Sequence, residues 1–499
     1  MHIFWSLSIV RRFFWVGILI AITSLYLYRL DGVGLLGPDE PRYAAIGRSM
    51  AATHEFITPM LWGTPWFEKP PLLYWMAATG TLVGLNPDLA VRLPVALLSL
   101  VFLCLSFYLL RREFDSEAAA IGTTLLATSA AWIGYSELCL TDLPLAVFFS
   151  LAVFLALGLV RPEPEALFRR ARLLLIGVCL GFATLAKGLV PIALALPVLW
   201  FLRRFWRDWW LMASSFLVVA LPWYLVVYAE NGNRFVDEFF WKHHVERVYS
   251  ASLQHVQPWY YYGPVLIAAL FPWTPLLGLL AFPGAFCDQR RRLLACTSLF
   301  GLLVFSAVLN KLPGYLLPLM PSTFALIGAQ FNNRPLQQLN RAWLFGCALL
   351  VSTIPMLSRA MPEWLAMGRF QWTPIKNVTI IEMFYAAVCV LAVFLLRRSW
   401  AVASLVLCVC AGGLYLKQVA DPVLDTQVSA RGVFRELKAL PGTVCDAGLN
   451  RDWQFGLASY RGSPLPSCPS GTFDFALEPR VHERPLITPL HTAVSKENE

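Results

Sequence analysis

An α-helical polytopic membrane protein carrying a small α/β domain at its C-terminal end is the fold class this sequence predicts. The first observation is composition: of 499 residues, 58% are hydrophobic and only 14% charged. Soluble domains carry about 25% charged residues. The second is that apolar stretches of about 17 to 25 residues, long enough to cross a bilayer core, recur along the chain. The third is the placement of the basic residues. Arg11-Arg12, Arg111-Arg112, Arg169-Arg170-Arg172, Arg203-Arg204-Arg207, Arg290-Arg291-Arg292, Arg334 with Arg341, and Arg397-Arg398 punctuate the apolar runs. Such clusters stay on the cytoplasmic side, and two spans with one Arg-poor connection separate each from the next. The net charge of +9 is therefore topology, not a surface for nucleic acid.

The spans fall at residues 13–30, 89–110, 117–136, 141–160, 172–187, 188–202, 209–229, 259–283, 293–309, 312–331, 342–358, 377–396 and 400–418. That makes about thirteen, each long enough to cross or nearly so. The first lacks a small-residue cleavage site and is followed by further spans, so it reads as a retained helix. The N-terminus is then cytoplasmic and the C-terminus outside. Residues 1–418 form the membrane domain and residues 419–499 a soluble outer domain. That tail alternates helix-like segments (Val428 to Leu440, Asp452 to Tyr460) with strand-like ones (Thr443 to Asp446, Thr472 to Ala476). Cys445 and Cys468 lie in it, where an oxidising compartment permits a disulfide; sequence leaves their pairing open. Most other cysteines sit singly in apolar runs, where a thiol behaves as a small hydrophobe.

The outer side holds the polar chemistry. The segment from Asp31 to Asp88 is too polar to insert. Asp39-Glu40-Pro41 suits a helix start, with carboxylates at the positive dipole end and Pro in the first turn. Tyr43, Ile46 and Met50 follow at helical spacing, which predicts an amphipathic helix on the membrane surface. Trp62, Trp66, Phe67, Tyr74 and Trp75 suit the interface. A second outer loop, Glu230 to Gln257, carries His243, His244, Glu246, Arg247 and His255. A third, Ser358 to Lys376, holds Arg359, Glu363 and Arg369.

Ionisable groups at membrane depth are costly and tend to mark functional sites. The candidates are Asp39, Glu40, Glu68 in Phe67-Glu68-Lys69-Pro70-Pro71, and Asp142 at a tight outer turn. The plain alternatives are helix caps for Asp39 and Asp142, and an exposed ion pair for Glu68-Lys69. Lys69, Arg247, Lys311 and nearby Arg42 suit a lipid phosphate through charge-assisted hydrogen bonds. For Lys311 the alternative is snorkelling towards headgroups. Lys187-Gly188 reads as a helix boundary. The sequence makes no cofactor certain; a divalent metal could draw on His243, His244 and Glu68, although adjacent histidines do not share a helix face.

In this order, Gly37-Pro38-Asp39-Glu40-Pro41-Arg42-Tyr43, Phe67-Glu68-Lys69-Pro70, Thr141-Asp142 and Lys311-Leu312-Pro313-Gly314-Tyr315 resemble the motifs of GT-C glycosyltransferases. The nearest resemblance is to the lipid A aminoarabinose transferases and the protein O-mannosyltransferases, over about the first 330 residues. It implies an inverting transfer of a sugar from a polyprenyl-phosphate donor to an envelope acceptor, on the periplasmic face of a bacterial inner membrane. It also implies roles. Asp39 is the catalytic carboxylate, a general base if the acceptor is a hydroxyl. Lys69 binds the leaving phosphate, with Arg247, Tyr315 and Lys311 as further ligands. Asp142 and Glu68 shape the site, holding Arg42 or a metal, and Glu40 supports it. Pro41 and the doubled Pro70-Pro71 depart from the aminoarabinose pattern, which leaves sugar and acceptor open.

A transporter or flippase of a lipid-linked or anionic substrate is the alternative class. It would place ionisable residues within paired, interrupted spans, whereas here polar residues collect on one face.

Overall fold

In a computed structural model the chain is described over residues 2–161, 166–246, 256–331, 337–366, 378–480 and 483–490. Apolar runs become helices throughout the body. The first, α1 (His2–Leu27), leads into an outer segment holding α2 (Asp39–Thr53), a two-residue hairpin of β1 (Met60–Leu61) and β2 (Thr64–Pro65), and α3 (Leu72–Leu82). Next come α4 (Pro87–Glu113), α5 (Ser116–Ala127), α6 (Ala130–Ser136), α7 (Asp142–Leu157) and α8 (Ala166–Lys187). Helices α9 (Val190–Leu194), α10 (Leu196–Phe201), α11 (Trp209–Asn231) and α12 (Asn233–Val236) follow, and α12 runs into a π-helical turn, Asp237–Val245. The rest of the body is α13 (Tyr262–Ala269), α14 (Gln289–Ala307), α15 (Met320–Phe331), α16 (Gln337–Ser352), α17 (Ile354–Ala366), α18 (Ile380–Leu395) and α19 (Arg398–Gln427).

Three helices among the described residues are long and apolar enough to cross a bilayer, or up to five if each bent pair is one span. Shorter apolar segments at Phe14–Leu27, Asp142–Leu157, Val190–Phe201 and Ile380–Leu395 coincide with other expected spans. The difference from uniform spans lies in the breaks. The expected span 117–136 divides at Thr128-Ser129, and 259–283 bends by 110° after α13. The two breaks satisfy one another: Ala130 N donates to Phe271 O at 2.8 Å, and Trp273 Nε1 to Thr128 Oγ1 at 3.1 Å. Freed backbone groups inside an apolar body need such partners.

The amphipathic helix forms as expected but is not laid on a surface. Tyr43, Ile46 and Met50 are each 2% exposed or less, because α2 packs on α3.

The tail contains α20 (Ala430–Ala439), β3 (Val444–Asp446), α21 (Arg451–Arg461), β4 (Phe475–Glu478) and β5 (Leu486–Pro489). Strands β3 and β4 pair in parallel, with Cys445 opposite Ala476, and β5 adds antiparallel to β4. Val433, Trp453, Leu457 and Leu477 make its core. A disulfide joins Cys445 to Cys468. The tail is tied to the first outer segment through Asp88: its carboxylate accepts from Tyr460 Oη at 2.6 Å and from Arg431 at 2.8 Å.

Candidate active site

Two neighbouring carboxylates at the start of α2 point to different tasks. Gly37, at φ 61°, turns the chain into the helix, a conformation that glycine adopts without a Cβ penalty. The helix is capped at Pro38 with no side-chain cap bond, so Asp39 is not a cap. Its carboxylate pairs with Arg42 one turn on and is 39% exposed. Glu40 is 1% exposed and committed to the interior. It binds Arg92 at 2.7 and 2.8 Å and accepts from Leu36 N at 2.8 Å and Cys139 N at 3.0 Å. Glu40 therefore fixes α2 against α4 and the loop before α7, and Asp39 is the more exposed of the two carboxylates. A cavity of about 350 Å³ that Arg92 also lines contains none of Asp39, Arg42, Glu68 and Lys69.

Around Asp39 the charges form a chain. Arg42 also meets Glu68 at 3.1 Å, and Glu68 meets Lys69 at 3.2 Å. Lys69 is 8% exposed, so Glu68-Lys69 is not the exposed pair that sequence alone allowed. A buried ammonium needs a negative partner or ligand. The Arg42 guanidinium lies over the Trp66 ring at 5.3 Å and over Phe455, from the tail, at 5.2 Å. Tyr43 and Tyr74, with ring centroids 5.7 Å apart, lie beside this chain. Burial pushes both phenols well above their ordinary value, and the charge of Glu68 adds to it. Neither serves as a base near neutral pH. Among the described residues the buried Tyr74 hydroxyl has no hydrogen-bond partner.

A second polar group is built by α7, α8 and the turn after Lys311. Asp142 is paired with Lys187, at 2.6 Å, rather than with Arg42. Thr141, not Asp142, is the cap of α7. Lys187 sits in the last turn of α8, ahead of Gly188 at φ 69°, so the helix boundary forms as read from sequence. The ion pair it makes was not legible there. The Lys187 ammonium also lies 4.6 Å from the centre of the Tyr315 ring. Gly314 lets the turn close: a Cβ there would come within 2.5 Å of Asp142 Oδ1 and 2.7 Å of Tyr135 Oη. The Tyr135 hydroxyl and the Asp142 carboxylate thus both face Gly314.

Lys311 is 4% exposed and donates to Val308 O at 2.6 Å and Gln257 O at 3.0 Å. This excludes snorkelling, and sets two of its three N–H donors on carbonyls. Arg247 lies outside the described residues, as do the side chains of His243 and His244. Among the described residues no group of three or more His, Cys, Asp or Glu could hold a metal ion, and Glu68 faces Arg42 and Lys69. Sequence reading missed Arg92, and also Lys417, whose ammonium meets Glu137 at 2.7 Å. Charges inside otherwise apolar runs were the available signal.

Known proteins are similar to this chain in sequence and in fold. Residues 12–234 match the family model of dolichyl-phosphate-mannose-protein mannosyltransferases. An undecaprenyl phosphate-alpha-4-amino-4-deoxy-L-arabinose arabinosyl transferase of Pseudomonas aeruginosa strain UCBPP-PA14 is 32% identical over 415 residues, covering 79% of this chain and 71% of its own length. The same-named protein of Edwardsiella ictaluri is 30% identical, over 61% of this chain and 57% of its own. The crystal structure of ArnT from Cupriavidus metallidurans bound to undecaprenyl phosphate superposes with a TM-score of 0.75 at 25% identity, over 90% of this chain and 85% of that one. With this shared fold and length of identity, the chain belongs to the family of undecaprenyl phosphate-aminoarabinose arabinosyl transferases, membrane glycosyltransferases of the GT-C class.

Proposed function

We propose that the protein moves 4-amino-4-deoxy-L-arabinose from undecaprenyl phosphate to a lipid A-like acceptor on the periplasmic face of the inner membrane. The observation that carries this reading is the chain Asp39–Arg42–Glu68–Lys69, with one accessible carboxylate at one end and a buried ammonium at the other. The named relatives and the undecaprenyl phosphate in the similar solved structure supply donor and sugar.

In the transfer, the bond from the sugar's anomeric carbon to the phosphate oxygen breaks as an acceptor oxygen bonds from the opposite face. The leaving phosphate gains negative charge, and a preset cation lowers the barrier most where that charge develops. Lys69 is that cation, with Tyr315 and Arg247 as further donors and Lys311 holding the turn before Tyr315. Asp39 faces the acceptor. It accepts the proton of a hydroxyl acceptor; against an ionised phosphate acceptor it orients the nucleophile and stabilises positive charge on the sugar. Asp142 and Glu68 hold Lys187, Arg42 and Lys69 in place. The tail, expected to begin at residue 419, follows the end of α19 at Gln427, and its described part packs on the first outer segment beside this site.

The test is mass spectrometry of lipid A from a strain that lacks its own aminoarabinose transferase. Wild-type protein should add the sugar, and Asp39→Asn should not. Unmodified lipid A with an abundant wild-type protein would rule out this acceptor.

A further inference from the structure

The tail contributes a side chain to the catalytic charge chain. Helix α21 is capped by Asn450, whose side chain accepts from Trp453 N, and ends at Gly462. Asp452, Phe455 and Ser459 are spaced to share one face of it. The C-terminal part of that face is anchored on α2, where Arg48 donates to Ser459 O at 2.6 Å. Its N-terminal part reaches the site. The Phe455 ring lies 5.2 Å from the Arg42 guanidinium carbon and 5.7 Å from the Trp62 ring centre. With Trp66 at 5.3 Å, Arg42 has a second aromatic neighbour.

A guanidinium between aromatic rings keeps its edge free for carboxylates. Here that edge meets Asp39 and Glu68 at once. Loss of one ring leaves Arg42 its ion pairs and frees it to pivot, which displaces the carboxylate it holds.

We propose that Phe455 is a positioning residue for sugar transfer: from the tail it orients Arg42, and through Arg42 the Asp39 carboxylate. The assignment rests on the reading of Asp39 as the catalytic group. Consistent with α21 lying over the site, burial raises the Asp452 carboxyl above its ordinary range, and the charge of Asp39 adds to it.

The experiment uses full-length protein in nanodiscs with undecaprenyl phosphate-aminoarabinose as donor and lipid A as acceptor. Phe455→Leu should lower kcat about tenfold, the scale of one partly desolvated cation–π contact, equivalent to about 1.4 kcal/mol. Donor KM should stay within about twofold, because Lys69 is untouched. Phe455→Trp should keep near-wild-type kcat. Arg42→Gln with Phe455→Leu should be no slower than Arg42→Gln alone, since both remove one arrangement. A merely structural residue would give a lower melting temperature, no aromatic rescue and additive losses. Phe455→Met carries the same expectation should the leucine variant not fold. An active wild type with wild-type kcat in both variants overturns the inference and leaves the function standing. So does a tryptophan variant as slow as the leucine one. An inactive wild type removes the functional reading and this inference with it.

Discussion

Replacing Arg92 by methionine should destabilise the protein more than any surface charge would. The Arg92 side chain is 4% exposed and Glu40's is 1% exposed. Arg92 makes two hydrogen bonds to the Glu40 carboxylate and three to the carbonyls of Leu30, Val33 and Gly34. Methionine fills much of the same volume and supplies no donor. Glu40 keeps two backbone N–H donors, from Leu36 and Cys139, and loses its only charge partner among the described residues. Removing one partner of a buried pair costs about 3–5 kcal/mol. At about 2 °C per kcal/mol, the low end of the range for longer chains, Tm falls by roughly 6 to 10 °C. Removing both charges with Glu40→Leu and Arg92→Met should cost less than the two single losses together, because no charge is stranded. The assay is thermal unfolding in detergent, followed by size-exclusion of heated samples. A single variant within about 1 °C of wild type, or a double variant showing the full sum, would refute the assignment of Glu40 as a committed buried partner.

Other outcomes follow from the same geometry. Lys187→Met strands Asp142 and should abolish transfer while costing several kcal/mol, about 3–5 for a buried pair; Asp142→Asn with Lys187→Met should regain stability without activity, and an active single variant contradicts this. Replacing Cys445 and Cys468 by serine opens a sequence separation of 23 and should cost the tail about 3 kcal/mol on the chain-entropy view, read as faster limited proteolysis of residues beyond 428; unchanged proteolysis argues against the bond. Asp452 holds its proton more tightly folded than unfolded, because of burial and then Asp39, so it adds stability as pH falls through the range just above the ordinary aspartate value. Asp452→Asn should flatten that rise in Tm and be at least as stable as wild type at neutral pH; identical slopes in both proteins would reject it.

The helical membrane fold class and one end of the charge chain were legible because their signals are local. Apolar runs, Arg clusters and the acidic helix start need no knowledge of distant contacts. Asp39, Arg42, Glu68 and Lys69 lie within one outer segment, and the structure brings them together. Pairings across the chain were not legible. Asp142, read as a site carboxylate or a cap, pairs with Lys187, read as a helix boundary, and Glu137 pairs with Lys417, neither of which the sequence singled out. Sequence could see that Asp39 and Glu40 were both acidic, not that one would be buried on Arg92 and the other left accessible. The role of Phe455 was equally hidden, since nothing in α21 alone indicates which helix it covers.

The most direct measurement of the central claim is thermal stabilisation of the purified protein by undecaprenyl phosphate, in wild type and Lys69→Ala, with a neutral lipid as control. Glu68 keeps Arg42 as a partner when Lys69 is removed, so the variant should fold. A ligand that binds only the folded state adds about 2.7 kcal/mol at a hundredfold excess over its dissociation constant. The account predicts a clear rise in Tm for wild type that is lost in Lys69→Ala and absent with the neutral lipid. Equal stabilisation of both proteins, or none in wild type, would contradict Lys69 as the cation that receives the leaving phosphate.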